Sequence, residues 1–212
     1  SASWTIPAYA DPSEIDDITT ILTDPIATAT AGASGGPADI VIDTGGGLTI
    51  TSGTAAVTIN SNNSFEQVGD TTVSFKNTSS AVGILVDLTQ SNINATNTAG
   101  CTDDCEHVVE GILEQGTVDM SGSGTAKRGL WFEGPTTDDG STPPPNAYTG
   151  NVDLGGGTFI ITGDNSIGVL IAPSSIVNGT ITLGTMTMQT TSLTGSSTGV
   201  IGFENTGVVK GD

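Results

Sequence analysis

The side chains from which catalytic and metal sites are built are few in this sequence. Its cations are Lys76, Lys127, Arg128 and Lys210, and its one histidine is His107. Eliminating a uronate needs a strong cationic base and further cations to neutralise the carboxylate. The only adjacent basic pair, Lys127-Arg128, reads as structural or surface. Glycoside hydrolysis needs two carboxyls at a set separation. Asp16-Asp17, Asp103-Asp104 and Asp138-Asp139 offer adjacent acids, but the first pair falls in a segment with helical spacing and the others in loops. His107, in Cys105-Glu106-His107-Val108, reads as a surface or strand residue. No catalytic residue is assigned, and the chain reads as a non-enzyme.

Cys101 and Cys105 frame Thr102-Asp103-Asp104, with His107 the only nearby third ligand, which makes a poor metal site. A small disulfide-closed loop in an oxidising compartment is the expectation. Hard cations favour carboxylates and carbonyls in loops. Asp103, Asp104, Asp138 and Asp139 are therefore the candidate calcium ligands, with solvated acidic turns as the plain alternative.

Charge excludes whole classes of partner. Four basic against 23 acidic residues leave a formal charge of −19 over 212 residues, which repels phosphate backbones and anionic lipid. Nucleic-acid binding and membrane insertion are not expected. With 30 Gly, 35 Thr and only 4% aromatic residues, the composition is that of a β protein with many short strands. The Thr, Ser, Asn and Gly content and the scarcity of Lys suit an extracellular or cell-surface location.

Two regions are expected. In residues 1–37, Asp11-Pro12-Ser13-Glu14 combines an N-cap acid with proline at N1, and Ile15, Ile18, Ile21 and Leu22 follow at helical spacing, predicting a short helix over 12–22. A Gly-rich connector closes that region. Ahead of it, Trp4, Ile6 and Tyr9 form an aromatic segment expected to dock as a strand or cap, and to serve assembly. Residues 38–212 break into short β runs between Gly, Asn, Asp and Ser. Loops are expected to project at about 99–107 and at 134–148, where Pro143-Pro144-Pro145 cannot continue a strand.

A degenerate repeat favours stacked coils. Glycine followed by two bulky apolar residues recurs at Gly83, Gly111, Gly129, Gly168 and Gly199, and a turn before an alternating strand recurs at Gly116, Gly150 and Gly179. Coils of roughly 20 to 25 residues predict about seven or eight coils in a rod about 35 to 40 Å long. The fold expected is an all-β, right-handed parallel β-helix with a short N-terminal helical cap. A β-sandwich is the alternative. The pairs Thr49-Thr51, Thr180-Thr182 and Thr185-Thr187 raise an ice-binding face, but their registers look irregular and plain β propensity accounts for them.

The strings Asn165-Ser166-Ile167-Gly168-Val169-Leu170, Asn178-Gly179-Thr180-Ile181 and Ser197 to Gly211 resemble repeats of β-helical autotransporter passenger domains and related bacterial surface adhesins. The resemblance covers residues 38–212 and rests on composition more than on a unique motif. No translocator barrel is present in this chain. It implies export to the cell surface and a role in adhesion or matrix formation, and supplies no catalytic residues. The expected function is a noncatalytic extracellular structural or adhesive protein, self-assembling into a filament or layer or contacting glycans or proteins of a host or neighbouring cell. A carbohydrate-binding or carbohydrate-active β-helix module is the alternative.

Overall fold

The computed structural model describes residues 15–96, 111–137, 141, 143–189 and 199–211. The described residues wind into six coils. The first holds β1 (Ile15–Ile18), β2 (Ile21–Leu22) and β3 (Ile26–Ala27), and the second β4 (Asp39–Ile42), β5 (Gly47–Thr49) and β6 (Ala55–Ile59). The third holds β7 (Phe65–Gln67), β8 (Thr72–Ser74), β9 (Val82–Asp87) and β10 (Ile93–Asn94). The fourth holds β11 (Gly111–Glu114), β12 (Thr117–Met120), β13 (Arg128–Glu133) and β14 (Asn146–Thr149). The fifth holds β15 (Asn151–Asp153), β16 (Thr158–Thr162), β17 (Ile167–Ile171) and β18 (Ser175–Asn178). The sixth holds β19 (Ile181–Thr182), β20 (Thr185–Gln189), β21 (Ile201–Asn205) and β22 (Val208–Lys210).

Equivalent strands stack into four parallel sheets. Sheet A is β1-β4-β7-β11-β15-β19, sheet B is β2-β5-β8-β12-β16-β20, sheet C is β3-β6-β9-β13-β17-β21, and a shorter sheet D is β10-β14-β18-β22. This is a parallel β-helix. The sandwich alternative falls, because every strand pair among the described residues is parallel and none is a hairpin. Six rungs at the usual strand spacing of about 4.8 Å make a stack about 24 Å long, shorter than the expected rod. The coils are fewer because later ones use more residues: the fourth side and the long stretches of sequence between β10 and β11 and between β13 and β14 enlarge them.

The core is a set of one-residue-per-rung columns. Ile26, Val57, Ile84, Leu130, Val169 and Phe203 stack in sheet C. Leu22, Leu48, Val73, Val118, Phe159 and Met186 stack opposite in sheet B. Each side chain covers the one below, so mid-sized residues suffice and few aromatics are needed. Sheet D adds Ile93, Tyr148, Val177 and Val209. Phe132 meets Tyr148 edge-on at 5.5 Å between centroids, bridging sheets C and D.

No α-helix occurs among the described residues, and the helical cap expected over 12–22 is replaced from residue 15 by β1 and β2. The isoleucines that suggested a helical stripe instead enter sheet registers: Ile18 opposite Ile42, and Ile21 opposite Gly47. β-branched side chains fit a pleated ladder at least as well as a helix, and a ready rung beside them decides the matter. The solenoid thus begins before residue 38. The projecting loop also ends earlier than expected, since Asn146–Thr149 is strand β14 with Tyr148 fully buried.

The repeat glycines are corrected by register. Gly83, Gly129, Gly168 and Gly202 stack in one column of sheet C, where the backbone of each rung fills the space that a Cβ of its neighbour would need. Their spacings are 46, 39 and 34 residues (83 to 129, 129 to 168, 168 to 202). Gly111 belongs to sheet A, and Gly199 precedes β21 and touches nothing.

Tyr148 carries the first testable consequence. Its hydroxyl is buried with no hydrogen-bond partner among the described residues, and burial pushes its ionisation far above the ordinary phenol range. An unmade buried hydrogen bond costs on the order of 1–3 kcal/mol. Tyr148→Phe keeps the ring contact and removes the orphan, so thermal unfolding should show stability unchanged or raised. A loss above about 1 kcal/mol would reveal a partner for the hydroxyl.

Candidate functional site

The sequence-derived site residues Trp4, Ile6, Tyr9, Cys101, Asp103, Asp104, Cys105, Asp138 and Asp139 lie outside the described residues, as does His107. Neither the disulfide nor the calcium ligands are therefore placed. Among the described residues no group of three His, Cys, Asp or Glu side chains is arranged to hold a metal.

The four cations separate. Lys76 pairs with Asp119 at 2.8 Å on the outside of sheet B, an exposed pair of the kind worth little. Lys127 is fully buried, and its Nζ donates to the carbonyls of Met120 at 2.8 Å, Gly122 at 3.2 Å and Ser121 at 3.4 Å. Burial lowers its pKa, with Asp119 pulling the other way. It ties the turn after β12 to the rung, which is structural work. Lys210 sits exposed on the last rung. Arg128 lies at a groove on sheet C.

The threonines of sheet B align better than their sequence spacing suggests. Thr72, Thr117, Thr158 and Thr185 form one column in register. The neighbouring outward column runs Thr49, Ser74, Asp119, Ile160 and Thr187. An acid and an isoleucine break it, so there is no flat two-column threonine face, and Thr180 and Thr182 lie in or beside sheet A instead.

The groove lies on the outer side of sheet C. Strand alternation turns Leu130 and Phe132 into the core and Trp131 outward, in register with Leu85 on one rung and Leu170 on the other. Trp131 packs against a small outer cluster of Ala55, Val82 and Leu85. Glu204 continues the outward column on β21. After β13 the chain cannot continue the rung, and Gly134, Pro135, Ser141 and Pro143 build a wall beside this face, enclosing about 650 Å³ with Trp131 and Leu170. A smaller recess of about 210 Å³ continues it past Pro143 toward Val208.

Charge is unevenly set around this floor. Arg128 Nη1 donates to the carbonyls of Asn165 at 2.9 Å and Lys127 at 3.0 Å; burial lowers its pKa while Glu204 raises it. Glu133 is pushed up, first by burial and then by Asp87, its register partner on β9. The hydroxyls of Thr136, Thr137, Ser174 and Thr206 line the rim. The Trp131 indole nitrogen is shielded from water and has no acceptor among the described residues.

Sequence reading marked the 134–148 segment as a contact loop but passed over Trp131, although Gly129-Leu130-Trp131 was one of the repeat units. The available signal was a bulky aromatic on the outward parity of a strand just before a proline-rich insertion. A second missed feature is interior: Gln67 and Glu114 face each other in register at the corner between sheets A and B. Gln67 Nε2 donates to the carbonyls of Thr71 at 3.1 Å and Thr117 at 3.2 Å. Its Oε1 and both carboxyl oxygens of Glu114 have no hydrogen-bond partner among the described residues.

No family model matches the chain, and neither the curated proteins nor the solved structures contain a match.

Proposed function

We propose that this is a noncatalytic structural and adhesive protein of the cell surface, whose coils associate end to end with those of another solenoid. The observation that carries the reading is the state of the last rung. Among the described residues, β19, β20, β21 and β22 each have a strand neighbour on one side only. Ile181, Met186 and Val209 on this rung are only partly buried, and two apolar residues that follow or lie on its strands are exposed, Leu183 by 46% and Phe203 by 38%. A parallel edge is a template for another parallel rung of the same spacing, whether further chain or a second solenoid supplies it. The acidic composition, the threonine-rich outer faces and the resemblance to surface adhesins support a location outside the cell.

The test is sedimentation velocity with negative-stain imaging over a range of concentrations. The native chain should give rods that lengthen with concentration, and the pair Leu183→Glu with Phe203→Glu should leave single particles with unchanged circular dichroism. Single particles of the native chain at every concentration would overturn end-to-end association.

A further inference from the structure

We infer that the groove on sheet C is a binding site for a neutral, hydroxyl-rich oligosaccharide, stacked on the indole of Trp131. This deepens the adhesive reading by giving it a ligand class, and rests on it. The shape comes first: about 650 Å³ between a rigid strand face and a loop wall lies within the range of clefts that hold small ligands, ~300–1,000 Å³. The floor is made of stacked strands, so it is formed before any ligand arrives. The wall is a loop held on a stiff scaffold, the usual arrangement for recognition.

The lining chemistry selects the ligand. One ring of Trp131 with Leu170 beside it gives an apolar strip, and threonine and serine hydroxyls stand at the rim. A pyranose has that same division, with C–H groups on its faces and hydroxyls at its edge. The hydroxyls of Thr137, Ser174 and Thr206 already donate to the carbonyls of Ser141, Pro143 and Ile171, so what they offer a ligand at the rim is acceptor oxygen, which a sugar hydroxyl can meet and a wholly apolar ligand cannot.

Charge then narrows the class. The groove has one cation, Arg128, whose Nη1 is engaged by two backbone carbonyls and which has Glu204 for its electrostatic partner. Glu133 and Glu204 are both at the groove, on a chain with a formal charge of −19. An anionic sugar would meet two carboxylates beside a single guanidinium whose Nη1 is already bonded to backbone, and long-range repulsion would slow its approach. Neutral glycans meet neither obstacle, and their hydroxyls can donate to both carboxylates.

The chain has two tryptophans, Trp4 and Trp131, so Trp4→Phe leaves Trp131 as the sole indole. Titration of that variant with cellohexaose, maltohexaose and chitohexaose should give a saturable change in fluorescence for at least one of them. Tetragalacturonate should bind at least tenfold more weakly. Calorimetry on Trp131→Ala in the otherwise native chain should show affinity for the same sugar falling at least tenfold, with circular dichroism unchanged. The inference is overturned if none of the neutral sugars binds, if Trp131→Ala binds as tightly as the native chain, or if tetragalacturonate or a proline-rich peptide is the preferred ligand. Binding is read on single particles, so sugar binding without rods would leave this inference standing while overturning end-to-end association.

Discussion

Gly129→Val is expected to destabilise the protein by about 3 kcal/mol or more, the upper end of what overpacking a filled core costs. Gly129 sits in the middle of the glycine column of sheet C. A Cβ there would stand 2.4 Å from the carbonyl oxygen of Gly168, 2.7 Å from Phe159 Cδ1 and 2.9 Å from Ile161 Cδ1. The side chains can yield a little, but the carbonyl belongs to the neighbouring rung and is fixed by the ladder. Relief therefore requires the rungs to part, and the loss spreads along sheet C. In a chain of this size about 3 kcal/mol lowers the unfolding midpoint by roughly 6 to 12 °C. Gly199→Ala is the matched control, since nothing lies within 4 Å of its Cβ position. Equal midpoints for the two variants would sink the column as a packing device.

Glu114 is the source of the second large effect. Burial raises its carboxyl to about 8, against a small opposing pull from the Gly116 N–H, which falls outside hydrogen-bond geometry. The unfolded chain ionises near 4.3. A folded-state pKa above the unfolded one means that the native form binds the proton more tightly. The stabilisation is complete below about pH 4, declines as pH rises, and is gone above the folded pKa of about 8. The neutral carboxyl also places a donor one rung from the unpartnered Gln67 Oε1. At ~1.4 kcal/mol per pKa unit, the drop across this window is on the order of 4 to 5 kcal/mol.

Glu114→Gln replaces the acid with a neutral group of the same shape. The difference in unfolding free energy between variant and native chain should grow in favour of the variant from pH 5 to pH 9. It should level off above that. Using the difference removes the contributions of Asp39 and Glu133, which both proteins share. Parallel curves across the range would show that Glu114 is ionised in the native state and reaches water or a cation.

Much of the β layout was legible because a strand's propensity is local. Thr117–Met120, Thr185–Gln189 and Val208–Lys210 follow from β-branched and apolar runs bounded by turn residues. The segments Phe65–Gln67 and Ser175–Asn178 were not legible. Three or four residues with polar members carry too little pattern, and they become strands because rungs on either side offer hydrogen bonds. The same influence makes strand of Ile15–Ile18, whose own spacing suggests a helix.

The candidate site divides in the same way. Composition alone determined that this is an acidic chain of small and β-branched residues, poor in the groups that catalysis uses. Local turn chemistry determined that the proline-rich segment after Gly134 leaves the rung. Only the tertiary structure decided which residues meet. Stacking brings together positions 24 to 55 residues apart, and the parity of each strand sets whether a side chain enters the core or the groove. Trp131 faces out beside Leu170 and Glu204, and Glu114 faces in beside Gln67. Loop lengths vary from coil to coil, so no fixed period in the sequence encodes that register; it is set by the hydrogen-bonded ladder and the core columns it aligns.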